Sequence, residues 1–444
     1  MLKRKIDLYL KEWKSNKDRN PLVVYGARQI GKTTSILEFA KNNYKNYIYI
    51  NFFDSPEYKD ICNDGYSPER IIFRISMHNP EFVFSNKNTL IFFDEAQEFP
   101  DILTALKFFK LDSEYDVIVS GSMLGVNYAG VKSIPVGFKT DYHMYSLDFE
   151  EFLWAKGYKE EHIEDLYNHM KNAIPFSSEQ YAVFSRLFKE YITVGGMPKA
   201  VDYYISDKTL ERVVLYQKQL YLDYETDIKK YVFGLDAARV VNFYRHITPM
   251  LARENHKFQI SKIEHGARNR NYLGCEDWLR DAGVITVSYN VNDLTLPLKG
   301  NEKETDKRVY YLDNSLLMSS LDSESTEKIR VNEEFEIFNG AVTESIVAEA
   351  LIKSGYEGLY FYKNEEGTLE LDFIVRAKDN IIPLEVKTNR GRSKSLNTIL
   401  KEERLKFGVK LTAQNIGFAN NKYTFPYFLA FLLKRFLSDV TTWD

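Results

Sequence analysis

The sequence predicts an α/β chain whose leading part is built on parallel strands, and two observations carry that reading. Residues 21–40, PLVVYGARQIGKTTSILEFA, run from a short β-branched strand through a glycine loop into a helix with Ile36, Leu37 and Ala40 at helical spacing. Residues 88–100, NTLIFFDEAQEFP, set an apolar run from Leu90 to Phe93 directly before Asp94 and Glu95, the pattern of a buried parallel strand ending at a cleft. A third strand is expected at Asp116 to Ser120, and strand-helix units in succession favour a parallel sheet.

Each residue of the first loop has a chemical reason. Gly26-x-x-x-x-Gly31-Lys32-Thr33 is the P-loop pattern: glycines let the backbone bend and approach a ligand closely, so successive N–H groups can cradle phosphates at a helix N-terminus. Lys32 supplies a mobile cation for the β- and γ-phosphates, and the Thr33 hydroxyl is a ligand for Mg²⁺. The expected nucleotide-binding set is therefore Gly26, Ala27, Arg28, Gln29, Ile30, Gly31, Lys32, Thr33 and Thr34, with Asp94 holding hydrated Mg²⁺ and Glu95 polarising the attacking water. Ser120 or Ser122, at the end of the third strand, can hydrogen-bond the γ-phosphate or that water; Ser122 is preferred, against a bland reading as turn chemistry.

Composition limits the alternatives. At 444 residues the chain suggests two to four domains of about 100–200 residues each. A hydrophobic fraction of 44% with 22 Gly and 12 Pro excludes collagen-like and disordered classes. With 59 basic and 63 acidic side chains, bulk charge does not hold this protein to nucleic acid, so any DNA-binding groove must be local. Cys62 and Cys275 form no metal or redox motif. The first twenty residues spread charge through every turn, and FPYFLAFLLKRF (Phe425 to Phe436) is about half a membrane span, so a cytoplasmic protein with a buried helix there is expected. The histidines show no metal-ligand spacing.

GARQIGKTT, IFFDEAQ, VSGSMLG, SLDFEEFL (Ser146 to Leu153) and YITVGGMPKAV (Tyr191 to Val201), in this order, resemble the prokaryotic AAA-type ATPases whose carboxy-terminal domain is similar to a PD-(D/E)XK nuclease. The resemblance implies a P-loop parallel sheet with helices on both faces and a small α/β nuclease-like domain at the carboxy end; a helical and winged-helix module is expected between them. The corresponding ranges are 1–205, 206–330 and 331–444. It also implies an arginine from a neighbouring copy in a homo-oligomer, yet none is assignable: Arg28 lies in the loop, and residues 129–143 offer only Lys132 and Lys139.

The middle of the chain reads as helices over 151–235, broken at Gly195-Gly196 and Pro198. From Phe258, a helix begun near Ile263, a break at Arg268 to Asn271, a second helix with Leu273, Trp278 and Leu279, and a strand over Val284 to Val291 resemble a winged helix. Arg268, Arg270 and Arg280 then stand near phosphates, or merely solubilise a packing module whose Glu276 and Asp277 repel DNA. A strand at Val309 to Leu312 follows, and Ser319 to Lys328 reads as a linker.

Beyond it, a helix carries Val342, Ile346, Val347 and Leu351 on one face, and two strands, Leu369 to Val375 and Ile381 to Val386, flank a turn at Asp379-Asn380. Asp372 and Glu385 are hard oxygen ligands for Mg²⁺, Lys387 shares a face with Glu385 and can orient a water or bind a phosphate, and Glu344 can complete the metal shell. This is the PD-(D/E)XK layout, with Leu371 in the nominal proline position and a basic tract of Arg390, Arg392 and Lys394 beside it.

The expected cofactors are ATP and Mg²⁺, with a second Mg²⁺ or Mn²⁺ as an option at the carboxy-terminal site. Two functions compete: an ATPase coupled to Mg²⁺-dependent action on DNA, and an ATP-dependent switch or partner-binding scaffold whose nuclease-like domain is inactive. A small-molecule kinase is disfavoured, because no acceptor pocket accompanies the P-loop.

Overall fold

Leu22–Tyr25 forms β1, whose leucine and valines are buried while Tyr25 is half-buried at the strand's end. The computed structural model to which it belongs describes residues 1–122, 135–232, 234–253, 256–321, 339–387 and 393–440. It divides into two compact units, Met1–Ser146 with Asp281–Gly283, and Leu147–Arg280 with Val284–Asp444.

Among the described residues, the first unit holds five strands: β1, β2 (Asn46–Asn51), β3 (Thr89–Asp94), β4 (Asp116–Gly121) and β5 (Thr140–His143), in the order β2-β3-β4-β1-β5. Every pairing is parallel. All five carboxyl ends therefore share one edge, with Tyr25 opposite both Gly121 and His143, and Asn51 opposite Asp94. Helices α1 (Lys5–Ser15), α2 (Lys32–Asn43), α3 (Pro68–His78) and α4 (Asp101–Asp112) flank the sheet. Ile71 and Ile75 of α3 with Ile102, Leu106 and Phe109 of α4 cover the face bearing Ile91 and Phe93. Helix α2 packs on β2 and β3 outside that cluster, so helices lie on both faces. It buries Ile36, Phe39 and Ala40 and leaves Leu37 half-buried, since positions three and four apart share a helical face.

The second unit begins with helices α5 (Phe149–Ala155), α6 (Glu160–Lys171), α7 (Ser178–Val194), α8 (Pro198–Asp207), α9 (Glu211–Tyr231) and α10 (Ala237–Leu251). The expected break at Gly195-Gly196 is a close packing point. Gly195 has φ +74°, and a Cβ on Gly196 would stand 2.0 Å from the Leu147 carbonyl oxygen. Leu147 is held by both backbone groups: its N–H donates to Gly196 O (2.7 Å), and its carbonyl accepts from Lys353 Nζ (3.0 Å), with the Tyr191 hydroxyl 2.9 Å away.

The segment from Phe258 departs from the winged-helix expectation. Short 3-10 turns at Ile260–Lys262 and Asn269–Tyr272 stand where the first helix and the break were expected, and only α11 (Cys275–Asp281) is α-helical. Gly266 and Gly274, both at φ +79°, interrupt helical propagation, and Leu273 is 70% exposed rather than on a buried face. Arg280 pairs with Asp277 (2.5 Å), and Glu276 is engaged by Tyr289 and Lys307.

The following strands β6 (Ile285–Val291) and β7 (Glu302–Tyr311) are not a free wing. Together with β8 (Leu359–Lys363), β9 (Glu370–Ala377), β10 (Asn380–Lys387), β11 (Gly408–Thr412), β12 (Gly417–Ala419) and β13 (Lys422–Pro426), they form one mixed sheet in the order β12-β13-β11-β10-β9-β8-β6-β7. The parallel pairing of β6 with β8 carries this sheet across the boundary expected near Ser319 to Lys328. Ser319 and Ser320 end helix α12 (Asn314–Ser320), while residues 322–328 of that expected linker lie outside the described residues. Helices α13 (Asn339–Lys353), α14 (Lys394–Ile399) and α15 (Leu433–Val440) complete the unit. The apolar stretch near the carboxy end is a 3-10 turn, Tyr427–Leu432, leading into α15, with Phe428 to Leu433, Phe436 and Leu437 buried. Both cysteines are buried and neither is in a disulfide.

Candidate active site

The P-loop is bent where its sequence permits. Gly26 has φ +144° and a Cβ there would meet the Met144 carbonyl oxygen at 2.1 Å; Gln29 (φ 61°) and Gly31 (φ 93°) are also left-handed, and Gly31 caps α2. Ile30 is buried and its carbonyl accepts from Arg4 Nη1 (2.8 Å), while Arg4 Nη2 reaches Tyr145 O (2.7 Å). Arg4 thus braces the loop from the far end of the first unit's sequence.

Lys32 is buried and folded back on the loop, donating to Gly26 O (2.9 Å) and Ala27 O (2.8 Å). Burial lowers its pKa to about 8, with Glu95 and Asp94 opposing the shift. Thr33 Oγ1 donates to Asp94 Oδ2 (2.7 Å). That carboxylate also accepts from the Tyr49 hydroxyl (3.2 Å), the Ser120 hydroxyl and the Glu95 N–H (3.0 Å). Glu95 has φ 52°, and the buried Gln97 amide donates to its carboxylate. Arg28 Nε donates to Ser122 Oγ (3.3 Å). The two serines therefore divide: Ser120 orients Asp94, and Ser122 faces the loop arginine. Ala27 is partly covered, and Gln29 and Thr34 are exposed.

His143 lies beside this site, stacked between Tyr25 (4.9 Å) and Tyr145 (4.3 Å). Burial, then the Lys32 charge, push its pKa down to about 4, so it is neutral near pH 7. Sequence reasoning missed Tyr49, Gln97, His143 and Arg4. Gln97 sits two residues after Glu95 and was within reach of proximity; Tyr49 meets Asp94 only through the pairing of β2 with β3, and Arg4 carried no signal. Of the two lysines considered in place of an arginine, Lys139 pairs with Asp141, and Lys132 lies outside the described residues.

A hydroxyl and a carboxylate in contact, beside a nest of backbone N–H groups and a lysine, fit Mg²⁺-nucleotide chemistry: hard oxygens for the ion, amides and ammonium for the phosphates.

The carboxy-terminal residues meet as well, around an unexpected partner. Arg308, on β7 and 2% exposed, sends Nη1 to Glu344 Oε1 (2.6 Å) and Nη2 to Glu370, and lies 3.8 Å from Asp372 Oδ1. The Tyr310 hydroxyl also donates to Glu344 Oε1, and His256 Nδ1 is 2.7 Å from Glu344 Oε2. Asp372 Oδ2 accepts the Val386 N–H (2.7 Å), and Lys387 Nζ is 3.3 Å from Glu385 Oε1. Glu385 is 1% exposed, and its Oε2 has no hydrogen-bond partner among the described residues.

Burial opposes ionisation of Glu344, but Arg308, His256 and Tyr310 together hold its pKa below the ordinary range. Burial and the Glu344 charge raise Asp372. Burial alone would lower Lys387; Asp372 and Glu385 outweigh it and raise it.

These residues do not fit the expected shell of Glu344, Asp372 and Glu385 around a divalent ion, because a guanidinium holds the place between Glu344 and Asp372. Among the described residues, no three or more His, Cys, Asp or Glu side chains are grouped to hold a metal ion. Arg390 and Arg392 lie outside the described residues, and Lys394 begins α14.

The first unit's sheet order and loop define a P-loop nucleotide-binding class. Residues 18–153 match an AAA domain, so the chain carries an AAA-type ATPase domain. Residues 185–327 and 339–428 match two domains of unknown function, DUF8612 and DUF4143. No curated protein matches the chain. Among solved structures, the ORC1 protein of Aeropyrum pernix in complex with DNA is similar at 12% identity over 74% of this chain and 92% of that one, with a TM-score of 0.33. The RuvB Holliday junction branch migration motor of Thermotoga maritima is similar at 13% identity over 64% and 87%, with a TM-score of 0.28. PCH-2 of C. elegans is similar at 11% identity over 47% and 61%, with a TM-score of 0.28. At these scores the likeness assigns no function.

Proposed function

We propose that this chain binds Mg²⁺-ATP at Gly26–Thr34 and hydrolyses it. The observation that carries the reading is the Thr33–Asp94 hydrogen bond of 2.7 Å, which joins loop and strand end, beside a buried Lys32 lying on the loop carbonyls. Mg²⁺ held by Thr33 and Asp94 would neutralise charge on the β- and γ-phosphates. The loop amides grip the phosphates, Lys32 swings from the Gly26 and Ala27 carbonyls to the phosphate oxygens, and Glu95, oriented by Gln97, polarises the attacking water. Lys32→Ala removes ATP turnover while the thermal melt of the variant stays that of the parent; phosphate release at the parental rate would refute the assignment.

Nucleotide state is then coupled to the second unit, in a cytoplasmic protein that can assemble with its own copies. Support comes from the chain itself. Met144, whose carbonyl lies against Gly26, is three residues before Leu147, whose two backbone groups are both clamped by Gly196, Lys353 and Tyr191. No helix among the described residues is long and apolar enough to cross a membrane. For the carboxy-terminal domain, Arg308 favours the reading as a switch or partner-binding scaffold over Mg²⁺-dependent cleavage of DNA.

A further inference from the structure

We infer that Arg308 is the resident cation of the carboxy-terminal acid cluster, replacing the divalent ion such a cluster would otherwise hold, and that removing its charge opens a metal site. The inference deepens the reading of the domain as catalytically silent, and rests on it.

Glu370 and Asp372 are two apart on β9 and so point to one face, and Glu344 reaches the same cluster from α13. Arg308 comes from β7, the edge strand, where it stands opposite Ser288 of β6. Its planar fork spans Glu344 and Glu370 with separate nitrogens, and the ring of Phe361 lies 4.4 Å from the guanidinium carbon. A guanidinium cannot deprotonate in a protein, so this positive charge is permanent.

The oxygens an ion would need are already committed. Glu344 Oε1 serves Arg308 and Tyr310, and Oε2 serves His256. Asp372 Oδ2 accepts the Val386 N–H, and its Oδ1 faces Arg308 at 3.8 Å. Among the described residues Glu385 Oε2 has no partner, but one carboxylate with Lys387 beside its other oxygen does not make a magnesium site. A divalent ion bound at about 2.0–2.6 Å from these oxygens would face the guanidinium at close range in a buried setting, where like charges repel strongly. With a neutral side chain at 308, Glu344 Oε1, Glu370 Oε1 and Asp372 Oδ1 lose the guanidinium they face, leaving hard carboxylate oxygens suited to Mg²⁺ or Mn²⁺.

The test titrates nucleotide-free full chain with Mn²⁺ and reads the free-ion signal by electron paramagnetic resonance. Four proteins are compared: wild type, Asp372→Asn, Arg308→Gln and the double variant, each checked for folding by circular dichroism and melting. Wild type and Asp372→Asn should bind Mn²⁺ identically, whereas Arg308→Gln gains one site at least about tenfold tighter than any the wild type has in this cluster, lost again in the double variant. Arg308→Lys, which keeps the charge, gains none. An Asp372-dependent Mn²⁺ site in the wild type overturns both the inference and the silent-domain reading. A folded Arg308→Gln without a new site overturns the inference alone. Should Arg308→Gln not fold, the wild-type and Asp372→Asn pair still decides whether the native cluster takes a metal.

Discussion

The lowered pKa of Lys32 makes ATP affinity depend on pH in a calculable way. In the nucleotide-free protein the amine titrates near 8, because burial removes its hydration and the nearby carboxylates only partly compensate. A triphosphate bound there would place negative charge against it and raise its pKa toward the ordinary value of 10.5. The difference corresponds to about 3 kcal/mol between the two protonation states. Because the bound state has the higher pKa, binding takes up a proton, and affinity falls as pH rises from about 8 toward 10.5.

At pH 7 roughly a tenth of the amines are neutral, and at pH 9 about nine in ten. The dissociation constant should therefore rise about tenfold between these values when measured with saturating Mg²⁺, which keeps the γ-phosphate ionised throughout the range. Calorimetry at pH 8 in buffers of different ionisation enthalpy should report uptake of about half a proton per ATP bound. Lys32→Arg keeps a cation that does not titrate, so its affinity should be flat over the same range. A wild-type affinity equally flat from pH 7 to 9, or a pH dependence that survives Lys32→Arg, would refute the placement of this ammonium against the phosphates.

Two further outcomes concern the second unit. Gly196→Ala drives a Cβ to 2.0 Å from the Leu147 carbonyl oxygen, which should lower stability by about 1–3 kcal/mol or more, read as the midpoint shift in urea; an unchanged midpoint would show that this contact relaxes freely. Burial first, then Asp313, raise the Glu349 carboxyl to about 7 against Lys353 and Tyr191, so the folded form holds a proton that the unfolded chain has lost. This group's contribution to stability should accordingly be lost as pH rises from about 4.5 toward 7. Glu349→Gln should remove that slope, and parallel curves for variant and parent would contradict the assignment.

Different parts of the molecule were legible in the amino-acid order to different degrees. The segment from Phe258 misled because its apolar spacing mimics two helices, while left-handed Gly266 and Gly274 stop helical hydrogen bonding from propagating. The hairpin of β6 and β7 was recognisable as strands, but its incorporation beside β8 depends on pairing across more than seventy residues, which local periodicity does not encode.

The sequence by itself determined the bent loop from Gly26 to Thr34, because its residues are contiguous and its left-handed turns fall at Gly26, Gln29 and Gly31 within that one short segment. It also determined the positions of Asp94, Asp372 and Glu385 at strand ends and on shared strand faces, because alternation along a strand sets which way a side chain points. Only the tertiary structure decided what those acids face. Arg308 lies 36 residues before Glu344 and reaches it through the sheet. Whether a buried carboxylate meets a metal ion or a guanidinium is set by which distant strand supplies the cation, and that follows from sheet order rather than from any motif.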